Sequence, residues 1–186
     1  VLIDEIAAAR PNVRSILFKD QEGSFLVGYI AGALSQTGVV GFVGGMDIPL
    51  IRNFDQGFQL GVAEACEECR VVSNYVGTTD DACNDRARAM ELAASQHAQG
   101  ADIIYHASGG SGAGVIDFVT ETMCYTPRGE LRTTALAEQL ANIPRSDAYE
   151  ARCGDDTQPL FFIGVDSNQN HEGDTDKDPT TLNHGL

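Results

Sequence analysis

The chain has 186 residues, enough for one compact domain or two small lobes, and its 42% hydrophobic content is ordinary for a globular protein. A formal net charge of −15, with a pI near 4.4 and no cluster of Lys or Arg, opposes binding to nucleic acid or to an anionic membrane surface. No apolar run approaches the roughly 18 residues that cross a bilayer, because Gly, Asp or Arg interrupts each candidate, including residues 25–34 and 160–165.

The chain opens on Val1-Leu2-Ile3-Asp4, which reads as a short buried strand with no charged and apolar leader ahead of it. That opening predicts that the natural N-terminus lies upstream, together with any signal peptide or lipid anchor. Further β-rich runs follow at 15–18, 39–43, 71–76, 103–107 and 161–165, with helical patterns between most of them. Several are nearly continuous apolar runs, as a parallel sheet covered on both faces requires, so the fold class is α/β.

The helix expected over 24–35 presents Phe25, Gly28, Tyr29 and Gly32 at helical spacing, and its glycines predict a close approach to a sheet. The next helix, 49–64, carries Pro49 in its first turn and a core stripe of Ile51, Phe54, Phe58 and Val62. Asp80 or Asp81 is the expected cap of a helix that sets Met90, Ala93, Ala94 and His97 on one face and stops at Gly100. His97 then reads as a core or boundary histidine. The segment 123–158 breaks the rhythm and reads as an insertion with one helix at 131–140, and beyond Asp166 no regular element is expected.

Five cysteines point to an oxidising compartment. Cys124 and Cys153 flank the insertion and are expected to be bridged, which stabilises by about 3–4 kcal/mol on the loop-entropy view. Two of Cys66, Cys69 and Cys83 are expected to pair, leaving one thiol. Cys66 and Cys69 have redox spacing but lie at the end of a helix, away from the N-terminal dipole that lowers a thiol pKa. A zinc site from these three with His97 lacks a second close-spaced pair. Asp174, Asp176 and Asp178 have the spacing of a calcium loop, but Pro179 occupies the position of the turn glycine. No metal or cofactor is expected. Nor is there a nucleophile elbow or a metalloprotease helix, and Glu67 and Glu68 are adjacent and so point apart. The residues suit binding rather than catalysis.

The sharpest local feature is Ser108-Gly109-Gly110-Ser111-Gly112, which follows a strand and opens a helix, so its backbone N–H groups can approach a ligand closely. A Walker loop is excluded, because no Gly-Lys-Ser/Thr follows, and no acid stands at the end of the next strand as a dinucleotide site requires. A second glycine turn, Gly44-Gly45-Met46, and the segment Gly164-Val165-Asp166 likewise follow strands. In open α/β sheets ligands bind at the carboxyl ends of the strands, so these segments can meet in one cleft.

Several runs resemble the signature segments of the basic membrane protein family, the nucleoside-binding lipoproteins of ABC importers. They include Phe18-Lys19-Asp20-Gln21-Glu22-Gly23-Ser24, Val40-Gly41-Phe42-Val43-Gly44-Gly45-Met46, Asn74-Tyr75-Val76-Gly77, Gly100-Ala101-Asp102-Ile103-Ile104-Tyr105, the glycine loop, and Ile163-Gly164-Val165-Asp166-Ser167-Asn168-Gln169. The resemblance implies a type I periplasmic-binding fold, in which two lobes close on a purine nucleoside, and an ABC permease as partner. It implies Asp166 as ribose acceptor, Tyr105 or His106 as aromatic wall, the loop of Gly109, Gly110, Ser111 and Gly112 along the sugar with Gly45 and Met46, and Asp20 or Glu22 against the base. It further implies a partial first lobe over 1–45, a second lobe over 46–165 with the insertion 123–158, and a hinge return over 166–186. A ligand-sensing module of a regulatory system is the alternative on the same fold.

Overall fold

The computed structural model describes residues 1–3, 8 and 10–186; Asp4, the end of the first expected strand, lies outside them. Strands β1 (Leu2–Ile3) and β2 (Ser15–Ile16) form a small parallel pair. The principal sheet combines β3 (Val39–Met46), β4 (Arg70–Gly77), β5 (Ile103–Ala107) and β8 (Phe161–Ile163) in the order β4-β3-β5-β8. All of its pairings are parallel, with Phe42 opposite both Ser73 and Tyr105. Parallel neighbours require crossovers, and these run through α2 (Pro49–Ala65), α3 (Arg86–Ala98) and α4 (Gly112–Thr122), while α1 (Asp20–Leu34) leads into β3. The carboxyl ends of the four strands therefore lie along one edge.

The alternation of side chains along the strands builds two cores. Phe42, Ile103, Tyr105, Phe161 and Ile163 pack with Phe58 and Val62 of α2 and Ala31 of α1. Val43, Ile104, Leu160 and Phe162 pack on the opposite side with Leu92 of α3 and Val115 and Val119 of α4. The sheet is thus covered on both faces, as its apolar strands require.

The close approach predicted for the glycines of α1 is made to a helix rather than to the sheet. A Cβ on Gly28 would strike the backbone carbonyl of Phe58, and one on Gly61 the carbonyl of Phe25, so α1 and α2 cross backbone against backbone. Gly44-Gly45-Met46 is the end of β3 rather than a turn after it, since Gly44 still pairs with Tyr75 and Ala107, and Met46 with Gly77. Glycine at 44 makes room for the Tyr75 ring, 2.7 Å from where its Cβ would stand. Helix α3 is capped by Asp85, which accepts from the Arg88 N–H at 2.9 Å, whereas Asp80 and Asp81 belong to a preceding 3-10 turn, Asp80–Cys83.

The segment 123–158 holds two short helices, α5 (Ala135–Ala141) and α6 (Asp147–Arg152), inside an antiparallel pair, β6 (Cys124–Tyr125) with β7 (Gln158–Pro159). Thr134 and Ser146 cap them through their hydroxyls, so the helix expected over 131–140 begins only at Ala135, and α6 is a second, unexpected helix. Cys124 and Cys153 are bridged, as are Cys66 and Cys69, and Cys83 is left exposed as a free thiol. The polar tail returns to the sheet: Phe162 donates to His184 O and Leu186 donates to Phe162 O, setting Gly185 beside β8. The expected lobe boundary between residues 45 and 46 falls inside β3, whose neighbours on both sides come from later in the chain.

Candidate functional site

The carboxyl edge gathers three of the expected segments. Gly45, near the end of β3, lies against the first residue after β5: its Cβ would come 3.1 Å from the Ser108 Cα. The glycine loop folds as a 3-10 turn, Gly109–Ser111, leading directly into α4. Gly109 adopts φ +57, a left-handed conformation that glycine tolerates freely. Gly110 backs onto the turn before α3, with the Cys83 carbonyl 3.2 Å from its would-be Cβ.

Ser111 is buried, and its hydroxyl is fully engaged by the protein: it donates to Ala82 O at 2.9 Å and accepts from Asp85 N–H at 2.7 Å. It fastens the loop to the base of α3. Ser108 is different. It is 1% exposed, yet among the described residues its hydroxyl has no hydrogen-bond partner. Buried polar groups are normally paired, so Ser108 is the loop's unsatisfied group. It stands beside the glycines in sequence, but only the fold reveals its isolation.

Asp166 follows β8, exposed, with φ +64. Such a conformation is uncommon outside glycine and is held here by the turn around it: Ser167 donates to Val165 O at 2.7 Å, and Val165 donates to the Gln169 Oε1 at 2.9 Å. Asp47, just beyond Met46, is held by both Nε and Nη2 of Arg52 at 2.6 and 3.0 Å, so that acid is already paired.

Tyr105 does not stand as an exposed aromatic wall. It is 2% exposed and packs its ring against Phe42 and Phe58, at centroid distances of 5.6 and 5.1 Å. Burial pushes its phenol up to about 12; the Ser24 hydroxyl opposes this and the nearby carboxylates of Asp166 and Asp20 add to it. Tyr105, Asp20 and Asp166 therefore share one electrostatic neighbourhood. Glu22 lies elsewhere: it pairs with Lys19 at 2.7 Å and faces the outer groove between α1 and α2 with Phe25, Leu26 and Leu60.

His106, one residue on, points to the opposite face of the sheet and is fully buried beneath Gly112, whose Cβ would strike the imidazole. Among the described residues neither ring nitrogen has a hydrogen-bond partner. Burial pushes its pKa down to about 4 against the influence of Gln169, so the ring is neutral at physiological pH. Among the described residues no three His, Cys, Asp or Glu side chains are grouped to hold a metal ion, and no helix is long and apolar enough to cross a membrane.

The profile of the Bmp family, described as ABC transporter substrate-binding protein PnrA-like, matches residues 1–126. The chain belongs to this family. Among its relatives, the CD4+ T-cell-stimulating antigen of Listeria monocytogenes is 39% identical over 117 residues, covering 61% of this chain and 31% of that protein. The ABC transporter nucleoside-binding protein BmpA of Lactococcus lactis is 32% identical over 115 residues, covering 62% and 32%. The matched part thus spans about a third of these relatives' length. An ABC transporter solute-binding protein from Aeropyrum pernix is similar in structure, with a TM-score of 0.65, 27% identity and coverage of 91% of this chain and 40% of that one. The Bmp match takes in β3, β4, β5 and the glycine loop and ends at the start of the insertion.

Proposed function

We propose that this chain is part of an extracytoplasmic solute-binding protein that captures a nucleoside, preferably a purine nucleoside, for an ABC importer. The observation that carries the reading is the convergence of Gly45, the glycine loop and Asp166 at the carboxyl edge of a sheet of which β3, β4, β5 and the glycine loop lie within the stretch matching the Bmp family. Asp166 accepts from the ribose hydroxyls, the loop lies along the sugar, and Ser108 takes a polar group once the cleft closes. Because Tyr105 is committed to the core, its hydroxyl near Asp166 and Asp20 serves as the polar floor of the site.

The four-stranded sheet is one lobe of a two-lobed clamp, and the β1–β2 pair belongs to the other. The protein works in the periplasm or at the outer face of the cell membrane, where a permease collects its cargo and where two disulfides are stable. Such a receptor uses neutral and hydrogen-bonding groups around a cleft and does not turn its ligand over.

Calorimetric titration with purine and pyrimidine nucleosides tests this. The expected result is saturable binding without turnover, weakened by about 1.5–3 kcal/mol in Asp166→Ala through loss of charged hydrogen bonds. Tight binding of a sugar with no heat from any nucleoside overturns the substrate class. Hydrolysis of the ligand overturns the receptor itself.

A further inference from the structure

The opposite, amino-terminal edge of the sheet carries a cavity of about 630 Å³, in the range of small-molecule sites. Its roof is the segment 124–131, which crosses from the Cys124–Cys153 bridge toward α1. That strap is anchored at three points. The disulfide holds its start, Arg128 Nη1 donates to Ala98 O at 2.9 Å in its middle, and Arg132 Nη1 donates to Ser35 O at 2.6 Å just beyond it. With β3 spanning eight residues, the glycine loop lies roughly 25 Å away along the strands.

Among the described residues, one buried polar atom of the lining is without a partner, and two exposed side chains of opposite charge, Arg128 and Glu130, stand on the rim. The His97 Nδ1 is buried and, among the described residues, has no hydrogen-bond partner. Its ring is held in place by Phe118, 5.6 Å away. Arg128 has a single protein hydrogen bond among the described residues, leaving most of its guanidinium donors available. Glu130, on the same rim, has no ion-pair partner among them. Val39, Leu131 and the Tyr125 ring supply apolar wall.

We propose that this cavity is a second small-molecule site, one that takes a zwitterionic amino acid with an apolar side chain. The ligand carboxylate meets the Arg128 fork, whose planar geometry suits it. The ligand ammonium meets Glu130, and His97 Nδ1 supplies a further hydrogen bond. A simple anion would face Glu130 and the −15 charge of the chain, and a simple cation would face Arg128, whereas a zwitterion complements both rim charges. Burial lowers the His97 pKa, a hydrogen bond with the Ala101 backbone opposes this, and the Arg128 charge lowers it further. The cavity depends on Arg128 to Leu131, which lie beyond the part of the chain matching the Bmp profile.

Titration calorimetry of the 186-residue chain with L-leucine and L-phenylalanine tests the assignment, beside N-acetyl-leucine, which lacks the ammonium, and leucinamide, which lacks the carboxylate. Saturable binding of the intact amino acids is expected, with either analogue weaker by about 10- to 100-fold. Arg128→Ala and Glu130→Gln should each weaken leucine by about the same factor while leaving any nucleoside titration unchanged. No saturable heat with either amino acid overturns the proposal, as does equal binding of the two analogues. The analogue comparison uses the unmodified chain, so a lack of zwitterion selectivity overturns the proposal even if a variant misfolds. An absence of amino-acid binding overturns this proposal alone and leaves the nucleoside reading, which concerns the other edge, untouched.

Discussion

Gly45 and Ser108 meet backbone to backbone where β3 and β5 end, with 3.1 Å between the would-be Cβ of one and the Cα of the other. A methyl group there is opposed by main chain, which cannot rotate aside as a flexible side chain does. Gly45→Ala should therefore cost about 1–3 kcal/mol of stability and push the glycine loop outward. Urea unfolding and nucleoside titration measure the two effects separately. An unchanged midpoint together with unchanged affinity would show that the contact constrains neither the fold nor the loop.

His106 predicts a particular response to acid. Its pKa falls from 6.5 to about 4 on folding, so between those values the unfolded chain binds the extra proton and the native state does not. The stability contribution of this group is complete above 6.5, declines as pH falls toward about 4, and amounts to about 3 kcal/mol over that interval. Burial also lowers His97 and His184, which adds to the trend with the same sign. Denaturant unfolding across this interval should show the decline, and His106→Gln should flatten its slope. A variant with the parent's slope would mean that the imidazole is protonated equally in both states.

The Cys124–Cys153 bridge closes a separation of 29 residues, for which the loop-entropy relation gives about 3–4 kcal/mol. Cys153→Ser should lower the unfolding free energy by that amount. Cys66→Ser should do much less, because its bridge spans a separation of only 3. Equilibrium unfolding of both variants against the oxidised parent distinguishes them. Equal losses would mean that local packing outweighs chain entropy at these sites.

Where the physics is local, the sequence carried it. Pro49 fits the first turn of α2, the stripe through Phe58 and Val62 fixes its buried face, and β5 occupies 103–107 as its apolar run predicts. Choices that depend on distant partners were not legible. Gly28 and Gly32 announce a close approach but not whether a sheet or a helix makes it. Strand alternation places Tyr105 and His106 on opposite faces, yet which face opens to the cleft depends on the layers around them. Asp85 displaces Asp80 and Asp81 as cap because the Ser111 hydroxyl, 26 residues away, accepts its N–H and fixes the turn. The approach of the Cys124–Cys153 pair could be read because loop-forming residues fill the interval, whereas the cavity beneath the strap arises only when 124–131 crosses the end of α3.

Asp166 combines a carboxylate at the site edge with φ +64, a region where a side chain costs about 1 kcal/mol relative to glycine. The two properties separate on mutation. Asp166→Gly should relieve the conformational cost and raise stability by about 0.5–1 kcal/mol. Asp166→Ala should lower it, since alanine lacks the local hydrogen-bonding that lets Asp tolerate this conformation. Both variants lose the carboxylate, so both should lose nucleoside affinity to the same extent although their stabilities move in opposite directions. Thermal unfolding and calorimetry on the pair test this. If the glycine variant keeps the parent's affinity, the carboxylate is not the ribose acceptor. The strained backbone would then be serving the shape of the turn, which brings Gln169 back to the Val165 N–H, rather than the presentation of a charge.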